Sequence, residues 1–91
     1  MELEKYKVQL DPELGIILVE HPHLTVTLDK LFEIKQTIEN STKRKYSYGI
    51  IRRCPGYYFS YKLANRQVIT CGIMNKLECV NETKEFAKKY R

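Results

Sequence analysis

The sequence predicts a small α+β domain with the element order ββα-βββα, in which the last three strands form an antiparallel meander packed on helices. Three observations predict it. Strong turn chemistry at 11–15 separates two short strand-like runs. An apolar stripe recurs at helical spacing between Leu28 and Ile38, and side chains alternate in character from 46 to 73.

In chain order, residues 3–10 alternate weakly. Asp11-Pro12-Glu13-Leu14-Gly15 then supplies a turn, because proline presets φ and glycine permits the positive φ that closes it. The β-branched run Ile16–Glu20 completes an antiparallel hairpin, and His21-Pro22-His23 ends it, since proline cannot donate to a ladder. Leu28, Leu31, Phe32, Ile34 and Ile38 lie on one helical face. With Thr27 as the cap and Asn40-Ser41 as the stop, they predict a helix over 28–40 that covers a sheet.

The meander is expected at Tyr46–Arg53, Tyr57–Ala64 and Val68–Ile73. Alternation places Tyr46, Tyr48, Ile50, Tyr57, Phe59, Tyr61, Leu63, Ile69, Cys71 and Ile73 on a core face. It places Ser47, Gly49, Ile51, Arg53, Tyr58, Ser60, Lys62, Val68 and Thr70 on a wet, cationic face. Asn81 is read as the cap of a last helix, Glu82–Tyr90, buried through Phe86, Ala87 and Tyr90. Residues 74–80 stay open between loop, strand and an earlier helix start.

Ninety-one residues fit one domain, and 43% hydrophobic with 30% charged residues is globular composition. The net charge of +5 is unevenly spread. Residues 1–42, the hairpin and first helix, carry four Lys/Arg against eight Asp/Glu; residues 43–91 carry twelve against three. A half this basic favours a polyanionic partner, with nucleic acid first. A soluble domain with an uneven surface is the plainer reading of the same numbers.

Cys54, Cys71 and Cys79 are odd in number and lack CxxC spacing, so reduced thiols in a cytoplasmic setting are expected. The start is charged with no apolar stretch behind it, and Ile16–Val19 is the longest apolar run, so neither a signal peptide nor a membrane span is expected. There is no Gly-rich phosphate loop and no GxSxG or HExxH pattern, so the chain reads as a non-enzyme without a cofactor. His21 and His23 form an HxH. Without clustered cysteines it reads as two solvated loop histidines rather than a metal site. Cys54, flanked by Arg53, reads as a turn residue rather than a nucleophile.

The candidate contacts to nucleic acid are cationic or lie on the wet face. Lys43, Arg44 and Lys45 follow the first helix and serve equally as phosphate anchors or as a solvated loop offsetting the helix dipole. Arg53, Lys62 and Arg66 would meet phosphates, with Ile51, Ser60 and Thr70 beside them. Seven tyrosines suggest base stacking, but of the five between 46 and 61 only Tyr58 falls on the cationic face.

Tyr48-Gly49-Ile50-Ile51-Arg52-Arg53, then Gly56-Tyr57-Tyr58-Phe59, Gly72 and the helix Lys84–Tyr90 resemble the APETALA-type DNA-binding domain and the related arm-binding domains of tyrosine-recombinase integrases. The resemblance covers 48–90 and implies a three-stranded sheet laid in the major groove, with Ile51, Arg53, Ser60, Lys62, Val68 and Thr70 facing the DNA. A tyrosine stands where that family has tryptophan, the stretch before the helix is longer, and 1–45 lies outside the pattern.

The expectation is therefore a nucleic-acid-binding module, duplex DNA favoured. The composition, rich in Lys, Ile and Tyr and poor in Ala, suggests a low-GC source such as a phage or other mobile element. The acidic half would supply homodimer or partner contacts. The alternative is a small inhibitor or adaptor that binds a host protein; a third is a subunit of a larger assembly.

Overall fold

Two hairpins are joined side by side through a parallel seam. The computed structural model describes residues 5–53, 56–61 and 75–90, and of 59–61 the backbone alone. The chain runs β1 (Lys7–Asp11), β2 (Ile16–Glu20), α1 (Leu28–Thr42), β3 (Tyr48–Arg53), β4 (Gly56–Tyr61) and α2 (Lys76–Lys89). The strands form one sheet in the order β1-β2-β3-β4. β1 and β2 pair antiparallel, β2 and β3 parallel, β3 and β4 antiparallel.

Among the described residues the sheet is thus mixed and four-stranded, not the three-stranded antiparallel meander expected from alternation. The predicted strand Val68–Ile73 lies outside the described residues. The parallel seam has a physical origin in β2, whose Ile16-Ile17-Leu18-Val19 run has no polar face. Each of these residues is at most 5% exposed. A strand apolar on both faces needs cover on both, and a crossover helix between parallel neighbours provides it.

The two helices take opposite faces. Ile17, Val19 and Ile51 pack with Val26, Leu31 and Ile34 on the α1 side. Ile16, Leu18, Tyr48 and Ile50 pack with Cys79 and Ala87 on the α2 side. Ile51 was placed on the wet face by alternation, yet it is 0% exposed. Its neighbour across the ladder, Tyr58, is half-buried against the same cluster. The alternation was real, but α1 covers the face it marked as wet. Burying an isoleucine this way stabilises by roughly 1.5–3 kcal/mol, which a solvated sheet face would forgo.

Local signals set the helix ends. The Thr27 hydroxyl accepts the Lys30 N–H at 3.2 Å and starts α1 where expected. α1 continues to Thr42 and stops at Lys43, which holds φ 60 while its N–H donates to the Glu39 carbonyl at 2.8 Å. α2 begins at Lys76, not Glu82. The Asn75 side chain accepts the Glu78 N–H at 2.9 Å and donates to the Glu78 carboxylate at 2.8 Å, a reciprocal cap. Asn81 is an exposed residue inside α2. Of the predicted buried side of that helix, Ala87 is buried and Phe86 half-buried, whereas Tyr90 is 51% exposed.

Candidate functional site

The parallel seam gives the sheet two distinct ends. Beyond the carboxyl ends of β2 and β3 lie Glu20, His21, Arg52 and Arg53, together with the first residues of both helices. At the amino ends lie the β1–β2 turn, the loop after α1 and the last turn of α2. The Tyr48 hydroxyl donates to the Tyr90 carbonyl at 3.0 Å, fixing the end of α2 beside the start of β3. Gly15, at φ +69, closes the β1–β2 turn against the Lys45 carbonyl and gives Tyr48 N–H its acceptor at 3.0 Å.

The carboxyl end carries the richer set of polar contacts. Glu20 accepts from the Tyr57 hydroxyl at 2.9 Å and from Lys76 Nζ at 3.1 Å. Burial pushes the Glu20 carboxyl up, but the Lys76 and Tyr57 hydrogen bonds and the charges of Lys76 and Lys7 outweigh it and hold it below the ordinary carboxylate value. Burial and the Glu20 carboxylate together push the Tyr57 phenol up, so it remains a donor. Arg52 donates to the carbonyls of His21 at 2.9 Å and Pro22 at 3.4 Å. Arg53 is exposed and lies over the Tyr58 ring at 5.4 Å. Lys5, Lys7, Glu20, His21, Pro22 and Arg52 line a shallow cleft of about 290 Å³.

His21 departs from the expected solvated loop histidine. It is 3% exposed, and its Nδ1 accepts the N–H groups of His23 and Leu24, each at 3.0 Å. The ring proton is therefore at Nε2, which is buried without a hydrogen-bond partner among the described residues, and the ring meets Tyr6 edge-on at 4.9 Å. An imidazole engaged this way closes the turn after β2. Among the described residues, no group of three or more His, Cys, Asp or Glu side chains could hold a metal ion.

The amino end is chemically simpler. Lys43, Arg44 and Lys45 are all exposed, as are Lys88 and Lys89 in the last turn of α2. None of the five forms an ion pair among the described residues. Beside the 43–45 loop, Glu39 accepts the Tyr46 N–H at 2.7 Å and Lys35 Nζ at 3.0 Å. Burial pushes the Glu39 carboxyl up, but these two bonds and the charges of Lys35 and Lys45 outweigh it and hold it below its ordinary value. The Lys35–Glu39 pair is only 11% and 14% exposed and anchors the loop carrying the cations.

The expected contact residues are thus divided. Lys43, Arg44 and Lys45 stand together in solvent, Arg53 lies at the opposite end, and Tyr58 and Ile51 belong to the α1 interface. Lys62, Arg66 and Thr70 lie outside the described residues, as do Cys54 and Cys71, and the Ser60 side chain is likewise outside them. Cys79 is buried in α2. Lys88 and Lys89 were not among the expected contacts. Their signal was available, since two of the four lysines of α2 stand in its last turn and a basic run follows α1.

Comparison of the chain with protein-family models, curated proteins and solved structures found no match. No helix among the described residues is long and apolar enough to cross a membrane.

Proposed function

We propose that the chain is a nucleic-acid-binding module that meets phosphates through the amino end of its parallel seam. One observation carries this reading: Lys43, Arg44, Lys45, Lys88 and Lys89 come from two helix ends to one end of the sheet, exposed and without ion pairs among the described residues. The plainer account is that these cations only complement helix dipoles. Two helix C-termini supply roughly one unit of negative charge between them, too little to use five cations. Asp11 and Glu13 of the β1–β2 turn offset part of the remainder and leave this end net positive.

Five phosphate contacts imply a log–log dependence of affinity on salt of about −4.5, because each neutralised phosphate releases condensed counterions. Fluorescence anisotropy with a labelled duplex, followed across a salt series, measures it. Replacing Lys43, Arg44 and Lys45 together by alanine is expected to reduce the slope by about 2.7 units, whatever the duplex sequence. No binding below roughly 10 μM at 0.1 M salt, or an unchanged slope in the triple variant, rejects the reading and leaves a protein partner in its place.

A further inference from the structure

β1 has one hydrogen-bonded neighbour, β2, so its outer row of N–H and C=O groups is bare among the described residues. Open edges of this kind are templates for another strand, and proteins ordinarily guard them with charge. The guard on β1 has an unusual pattern: the strand reads Lys7-Val8-Gln9-Leu10-Asp11. Reversed, it is its own complement.

We infer that β1 is a self-pairing edge, through which two copies of the chain join antiparallel about Gln9 into one continuous sheet. In that register Lys7 stands opposite Asp11 of the second copy, Val8 opposite Leu10, and Gln9 opposite Gln9. Directly opposed side chains on neighbouring strands have Cβ atoms about 4.5–5.5 Å apart, so each opposed pair is in contact. The lysine that would repel an arbitrary strand selects this register instead. A parallel pairing, or a slip by two residues, forfeits the match of charges.

The surroundings of β1 agree with this occupant. Leu10 is 40% exposed, a large apolar side chain on the open edge. A groove runs along each face of the strand, one lined by Gln9, Asp11, Leu18 and Val80 on the α2 side, the other by Tyr6, Val8, Ile34 and Ile38 on the α1 side, the face to which Leu10 belongs by its register with Ile17. Five paired residues alone fall short of the roughly 1,200 Å² that a stable interface buries. The two-fold axis is normal to the sheet, so it keeps both α1 helices on one face, flanking the seam. The grooves then close against each other and add the missing apolar area. The inference is independent of the nucleic-acid reading, since the amino ends of the two parallel seams point in opposite directions in the pair.

Sedimentation velocity on the full chain between 10 and 200 μM tests it, alongside hydrogen exchange of residues 7–11. The wild type is expected to be dimeric in this range, with the outward-facing amides of 7–11, every second one along the strand, protected in proportion to dimer. Leu10→Lys is expected to weaken the dimer at least 100-fold while leaving the far-ultraviolet circular dichroism unchanged. Lys7→Glu, which sets a carboxylate opposite Asp11 of the second copy, is expected to weaken it about tenfold. A wild type monomeric at 200 μM overturns the inference, as does a dimer indifferent to either variant. Should Leu10→Lys fail to fold, the wild-type exchange series decides alone: outward-facing amides of 7–11 whose protection is independent of concentration overturn it.

Discussion

At the carboxyl end of the parallel seam, cations are engaged: Lys76 with Glu20, Arg52 with two carbonyls, Arg53 with the Tyr58 ring. At the amino end, Lys43–Lys45, Lys88 and Lys89 have no ion pairs among the described residues, and Lys89 lies over the Tyr90 ring at 5.4 Å. The basic half of the sequence looks uniform, with twelve Lys/Arg after residue 42. Folding sorts these charges into ones engaged in ion pairs or carbonyl contacts and ones exposed without ion pairs among the described residues. The difference teaches that a count of cations in the sequence does not give the number that the fold leaves without an ion pair.

The contrast can be tested from the largest expected effect downward. Glu39 supports the amino end, so Glu39→Ala leaves the buried Lys35 ammonium and the Tyr46 N–H without their acceptors. A loss of about 3 kcal/mol in urea unfolding is expected. The pH dependence has a definite sign. Glu39 titrates below its ordinary value of 4.5 when folded, so its contribution is complete above that value and disappears as pH falls through the lower folded value. The acid limb of the wild-type stability curve should therefore be steeper than that of Glu39→Ala. A parallel pair of curves would mean that the carboxylate does not bind the loop in solution.

Glu20→Gln addresses the carboxyl end and should cost less, about 1 kcal/mol, because an amide still accepts from Tyr57 and Lys76 is 42% exposed. Its effect on the salt slope of nucleic-acid binding should be nil. A changed slope would show that this end also meets the ligand. Lys43→Gly has the smallest expected effect on stability and the opposite sign. Glycine accepts φ 60 without the strain of a side chain, so the fold should gain about 0.5–1 kcal/mol. The same change should flatten the salt slope by about 0.9 unit. Stability and affinity moving in opposite directions at one residue would separate the two uses of charge most cleanly.

Much of the local structure was legible in the sequence. The Asp11–Gly15 turn, the Thr27 cap and the apolar stripe of α1 are short-range signals, and each appears where its chemistry put it. The start of α2 was legible too, because Asn75 and Glu78 have capping-box spacing; Asn81 was the wrong asparagine. The parallel pairing of β2 and β3 was harder, since it joins residues on either side of α1. Its trace was the unbroken Ile16–Val19 run, which alternation cannot interpret because the strand has two dry faces. The same blindness put Ile51 in solvent. For the site, the run 43–45 was visible, whereas its sharing one end of the sheet with Lys88 and Lys89 depended on the direction in which α2 returns along the sheet.

The Ile16–Val19 run also has a life before the native state. Its partner β3 leaves the ribosome only after the whole of α1, so β2 waits with both apolar faces uncovered while the hairpin with β1 already exists. A short, β-branched, uncharged segment is the kind that nucleates intermolecular stacking in nascent chains. Glu13 stands before it, and Glu20 and Pro22 after it, in the positions of gatekeepers that interrupt such stacking. Glu20 thus holds two positions at once: it closes the apolar run in the sequence, and in the fold it accepts from Lys76, the first residue of α2.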